Sequence, residues 1–280
     1  MSRIALVTGT SSGIGLSTAV QLAQAGFTVV ATMRNLDKAG PLEERATAAG
    51  VSIELRRLDV QDENSIRQCV GGVLAEHGGI DVLVNNAGAG RLGNVEMLSD
   101  EEVRQTLDTN FMGVWRVTRA VLPAMRAARA GRVISVTSVG GLMGQVFNDA
   151  YCAAKFAVEG FMESLAPVVR RLGIQVSLIE PGPVNTEFIA SVQAAVGERP
   201  QVSIPDYAPL LEGYLGAVAQ AFKAMGQTPD EVAKVIVEAA TTEQPHFRYV
   251  TSDMMRGVVA RKYVDPTGDS AIALAGARLP

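Results

Sequence analysis

Thr8-Gly9-Thr10-Ser11-Ser12-Gly13-Ile14-Gly15 is the stretch that decides the fold of this chain. It follows Ile4-Ala5-Leu6-Val7, an apolar run of the kind found in strands buried on both faces. It precedes a helix-period segment over residues 14–25, which Gly26 closes. In that setting Gly9 permits a tight turn. Gly13 lets the backbone approach a pyrophosphate, and Gly15 lets helix and strand pack closely. The helix N-terminus then offers unpaired N–H groups and a partial positive charge to phosphates. The spacing is G-x-x-x-G-x-G, not the generic G-x-G-x-x-G, so its place between strand and helix carries the argument. The candidate cofactor residues of this turn are Gly9, Ser11, Ser12, Gly13 and Ile14.

Working outward, further strand patterns fall at residues 27–33, 52–60, 80–84, 132–136 and 174–179. Helical patterns lie between them at 63–76, 100–128 and 151–172. Alternation of apolar strands with helices predicts an α/β fold: a single-domain, Rossmann-type, doubly wound parallel sheet flanked by helices. Beyond Pro181 the texture changes. Residues 182–209 carry several prolines and little periodicity, which predicts a loop or mobile lid. Helices are expected at 214–225, 230–242 and 253–263, a last strand at 247–250, and a surface tail after 265. One domain therefore spans 1–280, with 183–228 and 253–280 as a C-terminal extension of substrate lid and tail.

The second strand ends at Met33-Arg34, with no acid until Asp37. A carboxylate about 20 residues past the glycines accepts from an unphosphorylated ribose, whereas a guanidinium fork suits a 2′-phosphate. NADP(H) is therefore expected over NAD(H). Asp59-Val60 ends the third strand, where a carboxylate can accept from an adenine amino group. Asn86-Ala87-Gly88 ends the fourth, where small residues admit the adenosine ribose.

Tyr151 and Lys155 stand four residues apart, so a helix puts phenol and ammonium on one face. A free tyrosine ionises near pH ~10, and an opposite charge within roughly 4–6 Å can lower a pKa by ~1–3 units. Ser138, ending an apolar run thirteen residues upstream, would hydrogen-bond a substrate oxygen beside the phenol. Such a trio can pass a proton to or from an alcohol or carbonyl oxygen.

Composition excludes other classes. A net charge of −4 gives no basic surface for phosphate backbones, so nucleic acid is not expected as a partner. Cys69 and Cys152 form no framework and His77 and His246 sit in no motif, so no metal site is expected. No apolar stretch approaches the ~18 residues of a membrane span. The chain enters a strand pattern directly after Met1-Ser2-Arg3, and a cytoplasmic protein without a signal peptide is expected.

Thr8-Gly9-x-x-x-Gly13-Ile14-Gly15, Asn85-Asn86-Ala87-Gly88, Asn110, Ser138, Tyr151-x-x-x-Lys155 and Pro181-Gly182 follow one another in an order that resembles the short-chain dehydrogenase/reductase family over roughly residues 3 to 190. The resemblance implies that Tyr151 is the general acid/base and that Ser138 positions the reacting oxygen. Lys155 would lower the tyrosine pKa and hold the nicotinamide ribose. Asn110 would maintain a helix kink and a water path to Lys155. It also implies that Pro181, Gly182, Val184 and Thr186 lie at the cofactor, with Thr186 on the carboxamide.

Ala31-Thr32-Met33-Arg34, Ser138 through Gly144, Phe147-Asn148-Asp149-x-Tyr151-Cys152-Ala153 and Ser177-Leu178-Ile179-Glu180-x-Gly182-Pro183-Val184 resemble the branch that holds the type 1 17β-hydroxysteroid and photoreceptor-type retinol dehydrogenases. That branch implies NADP(H) and a small lipophilic alcohol or carbonyl partner, hydroxysteroid- or retinoid-like. Gln145 replaces a pocket leucine of the steroid enzyme, and Ala217 replaces a histidine that grips the far steroid hydroxyl. Val139, Met143, Gln145, Pro183, Tyr214 and Phe222 are the candidate substrate residues, with Met255 and Val259 beside them. A homodimer or homotetramer is expected. The competing readings are a 3-oxoacyl thioester or small polyol reductase of the same family, and an NADP(H)-binding sensor or scaffold without chemistry.

Overall fold

The computed structural model describes residues 2–186 and 204–264. Seven strands form one parallel sheet: β1 Ile4–Thr8, β2 Thr28–Met33, β3 Glu54–Arg57, β4 Val82–Asn85, β5 Gly131–Val136, β6 Ile174–Glu180 and β7 Arg248–Val250, in the order β3-β2-β1-β4-β5-β6-β7. The described α-helices are α1 Gly13–Gln24, α2 Gly40–Ala48, α3 Glu63–His77, α4 Asp100–Leu107, α5 Gly113–Ala128, α6 Asp149–Arg170, α7 Ala208–Met225, α8 Pro229–Thr241 and α9 Asp253–Val264.

Strand alternation sorts the side chains into two cores. Ala5 and Val7 of β1 and Val82 and Val84 of β4 join α1 and α8 on one face. Ile4, Leu6 and Leu83 join α3, α5 and α6 on the other. Both faces are thus covered, which is why the strands read as continuous apolar runs rather than as alternation. The strand order reverses between β1 and β4, which opens a crevice at their carboxyl ends. The glycine turn and Asn86 both stand there.

Three expectations need correction. The third strand is shorter than 52–60, because β3 is a sheet edge. Its Glu54 and Arg56 pair with each other and with His77 and Glu76, charges that also guard the edge against pairing. The helical span 100–128 is two helices joined by a π-helical turn over Asp108–Met112. α2 had no counterpart in the periodicity, since it is short and buries only Leu42 and Ala46; Pro41 in its first turn was the available signal.

Candidate active site

Gly9 and Gly13 have φ of +72° and +56°, the left-handed region that favours glycine. A Cβ at Gly9 would lie 2.7 Å from the Ala87 backbone, so the glycine turn and the end of β4 are pressed together. Asn86 fastens them: its amide donates to the Thr8 and Gly9 carbonyls at 2.9 and 3.0 Å. The Thr8 hydroxyl accepts from the Asn86 and Ala87 N–H groups at 3.0 and 3.1 Å. Ser12 stands at the N-cap of α1 without a side-chain cap bond, and the first turn carries no acid. Those N–H groups and the helix dipole are thereby left available to an anion. Ser11, Ser12, Gly13, Asn185 and Thr186 line one cavity of about 550 Å³, with Arg45 also in its lining. Thr186 lies against the turn, since a Cβ at Gly13 would sit 3.2 Å from its methyl carbon. Ile14 is half-buried beside the turn, and Arg34 follows β2 with its side chain exposed.

Asp59 and Val60 stand just past β3. The Asp59 carboxylate accepts from the Gln61 N–H at 3.0 Å, and Val60 packs against Gly113. Pro181 accepts from the Val139 N–H at 3.0 Å, Gly182 lies under Met255, and Val184 is buried in the first core. These residues therefore gather at the carboxyl ends of the strands.

Asn110 is fully buried in the π-turn. Its amide accepts from the Ala89 N–H at 3.0 Å and donates to the Ala89 and Thr106 carbonyls at 2.9 and 3.0 Å. The wider turn exposes carbonyls that an α-helix would consume, and the side chain takes one of them up. A Cβ on Gly88 would meet Asn110 Oδ1 at 2.8 Å and Lys155 Nζ at 3.8 Å, so only a glycine fits between the two.

Ser138 caps a short 3-10 turn at Val139–Gly141, its hydroxyl accepting from the Gly140 N–H at 3.0 Å. The same hydroxyl hydrogen-bonds the Tyr151 phenol. Lys155 is buried and donates to the Val136 carbonyl at 3.0 Å, with Nζ 5.7 Å from the centre of the Tyr151 ring. The expected trio is thus brought together. Its electrostatics differ from the expectation. Tyr151 keeps some surface accessible, yet dense packing round the phenol makes burial the dominant influence and pushes it up to about 12, against the opposing Ser138 hydrogen bond. Burial brings Lys155 down to about 8, with Glu159 acting the other way. At neutral pH the phenol therefore holds its proton and the ammonium its charge.

The candidate substrate residues divide between two clusters. Val139 packs with Leu142, Met255 and Val259, bringing α9 to the 3-10 turn. Tyr214 packs with Leu92, Met97, Phe147 and Leu211, and its hydroxyl accepts from Asn148 at 2.9 Å. Met143 is buried, Gln145, Pro183, Ala217 and Phe222 partly so. Of the expected lid and tail, residues 187–203 and 265–280 lie outside the described residues.

Sequence reasoning passed over Thr137, Glu159 and Arg248, and quoted Glu180 only as part of a likeness. Glu159 Oε1 accepts from the Thr137 hydroxyl at 2.6 Å, and Arg248 reaches both acids. The available signal was a glutamate ending strand β6 directly before Pro181.

The chain matches the family model for short chain dehydrogenase over residues 3–197. It is 43% identical over 272 residues to retinol dehydrogenase 8 of Bos taurus, covering 95% of this chain and 86% of that protein. It is 40% identical over 276 residues to 17-beta-hydroxysteroid dehydrogenase type 1 of Homo sapiens, covering 96% and 83%. Among solved structures it resembles an actinorhodin polyketide ketoreductase with NADPH, at a TM-score of 0.76, 32% identity and 89% and 95% coverage. It also resembles a short chain dehydrogenase/reductase from Burkholderia phymatum in complex with NAD, at a TM-score of 0.79, 25% identity and 94% coverage of both chains.

Proposed function

The chain belongs to the short-chain dehydrogenase family, and from that premise we propose that it is an NADP(H)-dependent oxidoreductase that interconverts a lipophilic alcohol and its ketone or aldehyde, with Tyr151 as the acid/base. The observation that carries this reading is the meeting of Ser138, Tyr151 and Lys155, beside a glycine turn whose uncapped helix N-terminus suits a phosphate. A bound nicotinamide supplies the hydride. Gly9, Ser11, Ser12 and Gly13 would hold its pyrophosphate, and Asn86, Ala87, Gly88 and Thr186 would flank it. Arg34, exposed past β2 where an acid would select NAD(H), supports the choice of NADP(H).

In the reductive direction Ser138 donates a hydrogen bond to the substrate oxygen. Tyr151, protonated at neutral pH, gives its proton to the alkoxide that forms as the carbonyl carbon gains hydride. In oxidation the ionised phenol takes the proton back. Lys155, as an ammonium, stabilises the phenolate left after donation. Val139, Met143, Gln145, Pro183, Tyr214 and Phe222 are assigned to the substrate side, with residues 183–228 and 253–280 as lid and tail. The two relatives' printed names support a retinoid- or hydroxysteroid-like substrate. Ala217 in place of a gripping histidine argues for a looser hold on a steroid's far end. Among the described residues no helix is long and apolar enough to cross a membrane. Trp115 and Phe156, large apolar side chains left 39% and 37% exposed on α5 and α6, support pairing of these helices in a homodimer or homotetramer.

Tyr151→Phe tests the assignment. Turnover of retinal or a ketosteroid with NADPH should fall by about 10²–10⁴-fold, while NADPH binding measured by fluorescence stays intact. Near-normal turnover in this variant would remove Tyr151 from the chemistry.

A further inference from the structure

Glu180, at the end of β6, is fully buried, and among the described residues no donor is aimed squarely at either of its carboxyl oxygens. Arg248 Nε comes within 3.2 Å of Oε1 but directs its hydrogen to Glu159 Oε2, at 3.3 Å. A second buried acid, Glu159, thus takes donors from both Arg248 and Thr137. An ionised carboxylate poorly served by donors in a dry site is costly, and a second acid that competes for the same guanidinium makes it more so. Among the described residues, the charged and polar groups that face the pair come from α6, β7 and the end of β5. Lys155 and Glu163 share α6 with Glu159, the Thr137 hydroxyl follows β5, and Arg248 projects from β7 to Glu163 at 2.8 Å.

Each arm of this network ends one step from the catalytic trio. Thr137 precedes Ser138, Glu159 stands one helical turn past Lys155, and Glu180 precedes Pro181-Gly182. Gly141, inside the 3-10 turn that Ser138 caps, packs on the Lys155 backbone and on Glu159 Cγ. We propose that Glu159 and Glu180 hold one proton between them at neutral pH, with the proton on Glu180 and the charge on Glu159, and that this charge keeps the Lys155 side chain an ammonium. The pair is a positioning device, and its catalytic half rests on the reading of Tyr151 and Lys155 given above.

Burial, with Glu159 nearby, pushes Glu180 up to about 8 against the opposing pull of the Arg248 guanidinium, in keeping with a neutral acid. Between the ordinary carboxylate range and that value, the folded chain retains a proton that the unfolded chain has released. The contribution to stability is therefore full at acid pH and declines as pH rises through this window.

Three measurements decide the matter. The carboxylic-acid carbonyl band in the infrared spectrum at pH 7 should disappear in Glu180→Gln. The melting temperature of Glu180→Gln relative to the parent should climb from pH 5 to pH 8. In the pH profile of kcat/KM, Glu159→Gln should bring the alkaline limb down by about one pH unit, whereas Glu180→Gln should leave its position alone. An infrared spectrum unchanged by Glu180→Gln, or parallel melting curves, would show that the acids do not share a proton; an unmoved limb in folded Glu159→Gln would leave Glu159 purely structural. The first two readouts need no substrate, so they stand even if no carbonyl compound is turned over. If Glu159→Gln does not fold, they still decide the sharing of the proton.

Discussion

The cleft around Tyr151 and the docking of α7 are held by different forces. In the cleft, buried hydrogen bonds hold Asn110, Asn86 and Lys155, each to backbone carbonyls at 2.9–3.0 Å. α7 is held by a small apolar cluster, in which the Phe147 and Tyr214 rings meet at 5.8 Å with a tilt of 53°, and by side-chain bonds that include the one from Asn148 to Tyr214. Hydrogen bonds are directional and place atoms; apolar contact is not, and tolerates sliding. Phe147 nonetheless holds φ of +56°, an outlying conformation for a bulky residue. The backbone here is bent so that its carbonyl meets the Gly93 N–H at 2.6 Å and its ring meets α7. The difference teaches that this fold fixes the surroundings of Tyr151 by directional bonds and seats α7 chiefly by apolar contact.

Substitutions in the two regions should therefore differ in kind. The largest effect is expected from Gly9→Val, where a side chain would enter the Ala87 backbone at an unfavourable φ. NADPH affinity should fall by about 100-fold or more, read by fluorescence titration, and a well-bound variant would break the argument for a tightly closed turn. Next, Arg34→Gln should cost about 10- to 100-fold in the kcat/KM ratio for NADPH over NADH, the size of a lost charge-assisted contact. An unchanged ratio would place cofactor choice elsewhere.

A pH titration sharpens the electrostatic side of the comparison. Burial brings the Lys155 amine down to about 8, so the ammonium is present below that pH and lost above it. The reduction rate should be about halved near pH 8 and keep falling, while the Tyr151 phenol, at about 12, stays protonated throughout. A rate that is flat to pH 10 would separate Lys155 from the proton donor. The smallest effect belongs to α7. Tyr214→Phe removes the acceptor of the Asn148 amide, which also donates to the Val146 carbonyl. A loss of about 0.5–1 kcal/mol in thermal stability and a several-fold change in KM, with kcat retained, are expected. A collapse of kcat would mean that α7 is as rigidly coupled to the chemistry as the π-turn.

Much of the fold and of the site was legible along the chain. The glycine turn and the apolar runs marked six of the seven strands to within two residues, and Tyr151 with Lys155 shared one helix face as their spacing required. Less was visible at α2, whose two buried residues leave almost no period, and at Asn110, where a π-turn follows from side-chain bonds to distant Ala89 rather than from local preference. The candidate substrate residues were recognised as apolar, but their division into two clusters depends on where α7 and α9 come to rest.

What the amino-acid order determined by itself was local and periodic: strands, helices, the turn, and the pairing of a phenol with an ammonium one helical turn away. Only the tertiary structure decided the charge on those groups. Desolvation depends on every segment that packs around an atom, and it placed Tyr151 above its free value when the neighbouring cation alone argued for below. The same packing joined Glu159, Glu180 and Arg248, residues from three elements whose separation in sequence conceals that both acids meet one guanidinium.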